Sequence, residues 1–551
     1  MPAVRYDSFA RDHLPPRELW PRFVFDRPEY RHPDRVNSAD ELTAGALARG
    51  WGKRIALRTI VDGREIRCSY EQLAAQVNRI ARVLIENIGL IPGNRVLLRG
   101  PNTPMLAACW LAVVKSGVIA VATMPLLRAR ELKAIIDKAQ ISAALCDARW
   151  LDELQHNLNP SSEHHAPALK SVLLFNDNAP DALDALARAE RTDFNACDSH
   201  RDDVALIAFT SGTTGQPKGT LHFQRDVLIM SDAFPRHVLK PGPDDIFCGT
   251  PPLAFTFGLG GLLTMPLRCG ASVVLTEKNS PESVLATIEK THATIVFTAP
   301  TMYRQIALLL QSDRDRRAIA SLRKCVSAGE ALPDATRQLW RDTTGIEMID
   351  GIGATEMIHI FISSAGADVR RGAIGKVVPG YEARIVDDDM RSLPPGSVGK
   401  LAARGPTGCR YLDDARQESY VRDGWNLPGD TFSMDADGYF TFHARSDDMI
   451  ISAGYNIAGP DVESALLTHP AVSECGVIGV TDEARGQIVK AFVVLKAGIA
   501  GDPALAGALQ EFVKQTIAPY KYPRAIEFVS ALPRTETGKL QRFKLREALA
   551  T

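Results

Sequence analysis

Apolar residues along the chain fall into two alternating patterns: short unbroken runs that suit buried strands, and three-to-four-residue repeats that suit helices. Positions 69–84 repeat at the helical period, with Ser69 as N-cap and Gln72 three residues on in a capping-box spacing. Arg95–Arg99 reads as a strand, 102–116 as a helix that Gly117 ends, and 118–122 as the next strand. Val204–Phe209 is apolar throughout and predicts a buried strand, and 247–261 predicts a strand-to-helix turn studded with aromatics. Strand and helix alternate, which predicts an α/β core with parallel pairing. Residues 1–45 are expected to run extended over the surface, and the polar stretch 157–202 to be irregular. Residues 372–380 and 399–406 read as Gly/Pro turns. From Pro460 the pattern changes to a small module: a helix there, strands at 472–480 and 489–495, and a helix from Ala504.

Composition narrows the class. At 551 residues the chain exceeds one ordinary core, so at least two domains are expected. With 45% hydrophobic and 23% charged residues and a formal net charge of −1, neither nucleic acid nor an anionic membrane is the expected partner. The nine cysteines are scattered and none forms a C-x-x-C pair, which points away from structural zinc and toward a reducing, cytoplasmic setting. The N-terminal stretch lacks an apolar segment and carries Asp7, Asp12 and Glu18, unlike a signal or transit peptide. The longest apolar stretch, 105–127, is broken by Lys115, Ser116 and Gly117, so it reads as a core helix and a strand rather than a membrane span.

Chemistry concentrates in a few polar segments. Residues 210–220 follow the strand at 204–209 and are expected to form a loop of glycines, hydroxyls and Lys218. Such a loop cradles phosphate through backbone approach, hydroxyl donors and a point charge, although Pro217 and Gly219 around Lys218 set it apart from G-x-x-x-x-G-K-[ST]. In 350–361 a strand is expected to end at Ile349, and Thr355 and Glu356 then point into one space. A carboxylate beside a triphosphate is repelled unless a cation lies between them, so Glu356 implies Mg²⁺. Asp430, held by the turn Pro428-Gly429, can accept both hydroxyls of a ribose. Lys539, on the Thr/Gly-rich loop 532–540, is by itself more readily a solvated lysine than a catalytic one.

In this order, from roughly Ala44 to Ala548, these segments resemble the adenylate-forming superfamily of acyl-CoA synthetases, luciferases and peptide-synthetase adenylation domains. The resemblance implies a large N-terminal AMP-binding domain (1–446) carrying the acyl pocket, and a small mobile C-terminal lid (447–551) of α+β type. It implies ATP or AMP contacts at Thr210, Ser211, Gly212, Thr213, Thr214, Gly215, Lys218, Gly329, Glu330, Ala331, Asp350, Gly351, Ile352, Thr355, Asp430, Arg445 and Lys539. Lys539, Thr210 and Glu356 would be catalytic, Glu356 also holding the metal. Phe255, Phe257, Ala328, Gly329, Gly353, His359 and Ile360 would line the acyl pocket, Asp447 would be the hinge, and Gly454 would leave room for CoA. One position departs from the superfamily's habit: Ile352 stands where an aromatic is common. Phe255 falls where many acyl-CoA synthetases have a His or aromatic gate, so the gate here would be aromatic rather than basic.

The implied reaction is attack of a carboxylate on the α-phosphate of ATP, two anions whose meeting Lys539 bridges, followed by lid rotation and attack by a thiol. Phe255, Phe257 and 350–361 resemble benzoate-CoA ligases, and Pro28-Glu-Tyr30 with 33–37 resembles bacterial 2-aminobenzoate-CoA ligases. The expected substrates are therefore a small aromatic carboxylate, ATP and CoA. His359 would either meet a ring substituent or be a structural histidine bonded to backbone. The alternatives are a medium-chain fatty acyl-CoA synthetase and a stand-alone adenylation enzyme that loads a carrier protein. A non-catalytic nucleotide-binding regulator fits poorly with both Lys539 and Glu356 retained. Pro533 to Lys539 matches the P-x-x-x-x-G-K spacing at which acyl-CoA synthetases are silenced by lysine acetylation, so a lysine acetyltransferase is an expected partner; the chain is taken as monomer or homodimer.

Overall fold

The computed structural model describes residues 6–211, 217–313, 316–445, 448–452, 455–482, 485–517, 519–534 and 540–549. Among them the strands form four sheets. One has six strands in the order 171–175, 143–147, 95–99, 119–123, 204–211, 217–223, parallel except for the last pair. The second has nine; its centre is parallel, and its edges, 64–69 on one side and 360–363 and 376–377 on the other, run antiparallel.

Helices Tyr70–Arg82 and Pro104–Lys115 lie in one core with residues from both sheets. The first buries a single stripe including Leu73, Val77 and Ile80, and its predicted capping box is formed by Ser69 and Gln72. The second is buried at every position from Leu106 to Lys115, as a helix apolar all round must be. Gly117 then turns with φ +74°, and a Cβ there would meet Cys197 Sγ at 2.5 Å, so both conformation and space demand glycine.

Four expectations are corrected. The stretch 157–202 holds strand Ser171–Phe175 and helix Leu183–Ala189, because its short apolar run pairs with the neighbouring parallel strand. The segment 210–220 is not one loop: Val204–Ser211 and Pro217–Phe223 form an antiparallel hairpin in which Thr210 pairs with Lys218. The strand before Glu356 does not end at Ile349 but runs Met348–Gly353, since Gly351 and Ile352 find partners in the antiparallel strand Ile360–Ser363. Gly399 to Arg404 lie within strand Val398–Arg404, paired on both sides.

A third, antiparallel sheet ends with strand Phe440–Arg445, and a fourth begins with Ile450–Ser452 and carries 472–482, 486–495 and 525–528. A division at 446/447 falls on residues outside the described ones. No helix among the described residues is long and apolar enough to cross a membrane.

Candidate functional site

The hairpin Val204–Ser211/Pro217–Phe223 leaves the carboxyl side of the six-stranded sheet, where open α/β sheets take their ligands. Gly212, Thr213, Thr214 and Gly215 lie outside the described residues, as does the side chain of Ser211. Lys218, half-buried on the returning strand, has Nζ 3.5 Å from the hydroxyl of Tyr411 and 5.4 Å from its ring centre. That hydroxyl donates to Glu356 Oε1 at 2.5 Å. Glu356 stands on a 3₁₀ turn, Thr355–Met357, so phosphate hairpin and candidate metal carboxylate meet through a residue the sequence did not single out. Behind them, His222 Nε2 lies 2.8 Å from the carbonyl of Thr355.

The nucleotide-side residues divide. Asp430 and Arg445 face each other across adjacent strands, with Arg445 Nη1 2.9 Å from Asp430 Oδ1. The Asp430 carboxylate holds the arginine's pKa up, and the guanidinium remains more than half exposed. Gly329 turns with φ +91° after the buried Ala328, followed by half-buried Glu330 and Ala331. Glu330 accepts from Thr301 Oγ1 at 2.9 Å. Asp350, by contrast, is buried in the sheet, where Ser327 is its neighbour in register.

Burial pushes the Asp350 carboxyl up to about 6 despite the opposing pull of Arg337. Its folded-state value thus lies above the ordinary 3.8, so ionising it opposes folding. The penalty is absent below about pH 4 and full above about pH 6. Asp350→Asn is therefore expected to raise the unfolding free energy by about 2 kcal/mol at pH 8 and to change it little at pH 4. Urea melts at the two pH values check this, and an equal gain at both would reject ionisation as the cause.

The acyl-side residues gather around His359. Its ring is buried, with the rings of Phe234 and Phe257 each 5.8 Å away, and Phe257 lies 5.6 Å from Phe297. Neither ring nitrogen of His359 makes a hydrogen bond among the described residues. The alternative of a histidine bonded to backbone is met only by a weak approach of the Phe257 backbone. Burial pushes its pKa down to about 3, against a smaller opposite pull from the Phe257 backbone, so the imidazole is neutral. Gly260 makes room for it: a Cβ there would stand 2.5 Å from His359 Cδ2. Ile360 packs on Gly351, where a Cβ would come within 2.8 Å, and exposed Gly353 sits against the His359 carbonyl. Ile358, fully buried, has φ +67° and ψ −35°, a strained backbone for a β-branched residue, between Glu356 and His359. Phe255 stands apart: it borders a void of about 10 Å³, room for at most one water, beside Trp110, Leu206, Ala208 and Leu259.

Lys539, Asp447 and Gly454 lie outside the described residues, but the flank of the lysine segment is placed. Arg534 donates to Glu474 Oε2 at 2.7 Å and to Thr301 Oγ1 at 3.3 Å, and lies 3.6 Å from Glu330 Oε1. Arg304 Nε donates to the Ser473 carbonyl at 3.2 Å. The C-terminal part therefore docks on the rim formed by Thr301 and Glu330. A hydroxyl-lined hairpin with a lysine, a carboxylate beside it, an Asp/Arg pair and an aromatic pocket with a neutral histidine can together hold a nucleotide next to a small apolar acid.

Comparison with known proteins agrees in order and extent. The sequence profile described as AMP-binding enzyme matches residues 46–410, and that described as AMP-binding enzyme C-terminal domain matches 461–539. The chain is 34% identical over 525 residues to benzoate–CoA ligase of Thauera aromatica, covering 95% of this chain and 98% of that one. It is 36% identical over 499 residues to the mitochondrial acyl-coenzyme A synthetase ACSM5 of Homo sapiens, covering 88% and 84%. The crystal structure of the anthranilate CoA ligase AuaEII in complex with anthranoyl-AMP superposes with a TM-score of 0.88 at 34% identity, covering 95% of this chain and 99% of that one. Two profiles spanning both parts of the chain, and relatives matched nearly end to end, make this chain a member of the AMP-binding enzyme family, within the adenylate-forming superfamily that its motifs resemble.

Proposed function

We propose that this protein is an aryl-CoA ligase: it activates 2-aminobenzoate or benzoate with ATP to the aryl-adenylate, releasing pyrophosphate, and transfers the acyl group to CoA, releasing AMP. The observation that carries this reading is His359, a neutral imidazole whose ring nitrogens make no hydrogen bond of good geometry among the described residues, in a wall of Phe234, Phe257 and Phe297. Such a ring can accept a hydrogen bond from an ortho amino group, and a buried polar group left unpaired selects strongly between substrates. The names of the benzoate and anthranilate ligases among the relatives support the same substrate class.

The division of labour follows. The hairpin from Thr210 to Lys218 binds the phosphates, Asp430 and Arg445 hold the ribose side, and Lys539 bridges the acid's carboxylate and the α-phosphate in the first step. Glu356 would hold Mg²⁺. Among the described residues no three His, Cys, Asp or Glu converge, and a lone carboxylate suits an ion that completes its shell with phosphate oxygens and water. Bound there, the ion would neutralise charge on the departing pyrophosphate. For the second step the lid, residues 447–551, turns about Asp447 so that Lys539 withdraws and Gly454 admits the pantetheine arm. Acetylation of Lys539 would remove the charge that the first step needs.

A panel of benzoate, 2-aminobenzoate, 4-hydroxybenzoate, phenylacetate and octanoate, each with and without CoA, tests the reading through AMP release. CoA-dependent turnover is expected to favour benzoate and 2-aminobenzoate by at least tenfold. A second reading is activation of a medium-chain fatty acid; the likeness to the acyl-coenzyme A synthetase ACSM5 supports an acyl substrate without specifying an aromatic one. Preference for octanoate would select it and reject the aromatic one.

A further inference from the structure

Tyr411 is fully buried, yet its hydroxyl lies between two charged groups of the site: it donates to Glu356 Oε1 at 2.5 Å, with Lys218 Nζ 3.5 Å away. Its backbone is as firmly set. Tyr411 pairs with Thr220 as an extra bridge on the hairpin, flanked by bonds of 2.8 Å from Leu221 N to the Arg410 carbonyl and from Leu412 N to the Gly219 carbonyl. The Tyr411 amide donates to Gln417 Oε1 at 2.9 Å, and its ring stands edge-on to Tyr420 with centres 5.6 Å apart. The backbone is fixed by this bridge, and the buried ring cannot turn away from Glu356 without displacing the side chains packed on it. An ionised carboxylate only accepts, so the phenol is the donor of this bond.

We propose that Tyr411 is a positioning residue: by spending its proton on Glu356 Oε1 and offering its oxygen to Lys218, it fixes the carboxylate so that Oε2 is the oxygen presented to the cation of a metal–nucleotide. A carboxylate free to rotate must be immobilised when the metal arrives, whereas one held by a buried donor has met that entropic cost on folding. The same hydroxyl keeps the phosphate-side lysine and the metal-side carboxylate at a set spacing, so neither collapses into a direct ion pair that the nucleotide would have to break.

This inference rests on the reading of Glu356 as the metal carboxylate, and the test separates the two. Tyr411→Phe, Glu356→Gln and the unaltered protein are compared for the Mg²⁺ concentration giving half-maximal adenylate formation. Binding of a non-hydrolysable ATP analogue is also measured by calorimetry, with Mg²⁺ and in EDTA. Tyr411→Phe is expected to raise the half-maximal Mg²⁺ about tenfold and to weaken analogue binding by a similar factor with Mg²⁺ but not in EDTA, while KM for the aromatic acid stays within twofold. Glu356→Gln is expected to raise the requirement further. If Glu356→Gln leaves it unchanged, the metal reading falls. If Glu356→Gln raises it and Tyr411→Phe does not, or if Tyr411→Phe weakens acid and analogue equally with and without Mg²⁺, the role of Tyr411 alone is overturned. Should Tyr411→Phe not fold, Tyr411→His, which returns a ring N–H, carries the same test: its Mg²⁺ requirement must lie nearer the unaltered protein's than that of Glu356→Gln.

Discussion

Lys539→Ala is expected to slow formation of the aryl-adenylate by about 10²–10³-fold while leaving transfer from preformed aryl-AMP to CoA near its original rate. In the first step a carboxylate approaches the α-phosphate, and nothing else among the expected site residues puts a cation between those two anions: Lys218 is engaged with Tyr411 and Arg445 with Asp430. Arg534 spans Glu474 of the C-terminal part and Thr301 and Glu330 of the N-terminal part, a partly buried pairing screened less by salt than a surface contact would be. Quenched-flow measurement of each half-reaction in isolation decides the matter. Equal losses in both would mean that Lys539 acts on the fold or on nucleotide binding instead.

The second large effect is on stability and lies just behind the hairpin. Asp226 and Arg410 form an ion pair in which both side chains are fully buried. Asp226 Oδ2 also accepts from the Phe223 amide at 2.9 Å. Arg410 Nε and Nη1 have no hydrogen-bond partner among the described residues; the guanidinium lies 3.9 Å from the ring centre of Phe223 and 4.9 Å from that of Phe23. Aromatic faces thus stand in for missing acceptors. Removing one member leaves a buried charge uncompensated, which costs about 3–5 kcal/mol, so Arg410→Met and Asp226→Asn are each expected to lower the unfolding free energy by roughly that much. The double variant should lose far less than the sum, the sign of a shared interaction. Although burial pulls it upward, Arg410 holds the Asp226 carboxyl down at about 2. Because this lies below the ordinary 3.8, the pair's contribution is present above about pH 4 and lost as pH falls through about 2. Additive losses in urea melts would dismiss the pair as a unit.

The elements legible in the sequence were those with local causes. The capping box at Ser69 and Gln72, the wholly apolar helix after Thr103 and the glycine stop at 117 each carry their reason within a few residues. Strand Ser171–Phe175 was missed because its apolar run is short and only pairing with 143–147 makes it a strand. Met348–Gly353 was cut short because two glycines read as a turn, whereas the opposite strand needs them bare so that Ile360 can lie on Gly351. Within the candidate site, Glu356, Asp430, Arg445 and His359 were expected from motif order. Tyr411, His222 and Arg534 reach it only through tertiary pairing, which no spacing along the chain encodes. Asp350 was read as a ligand contact, but its depth in the sheet could be known only once Ser327 and Arg337 were placed around it.

The bridge between Tyr411 and the phosphate hairpin has a consequence for synthesis. Strands Val204–Ser211 and Pro217–Phe223 can pair as soon as they leave the ribosome, but Tyr411 follows Lys218 by 193 residues. At ribosomal rates of about 5–20 residues per second, that interval lasts roughly 10–40 s. Until it closes, the nascent chain carries a phosphate loop without the strand that clamps it and an Asp226 without Arg410, so the buried charge must stay hydrated. The bridge can therefore close only once residue 411 has emerged, with 140 of the 551 residues still to be made.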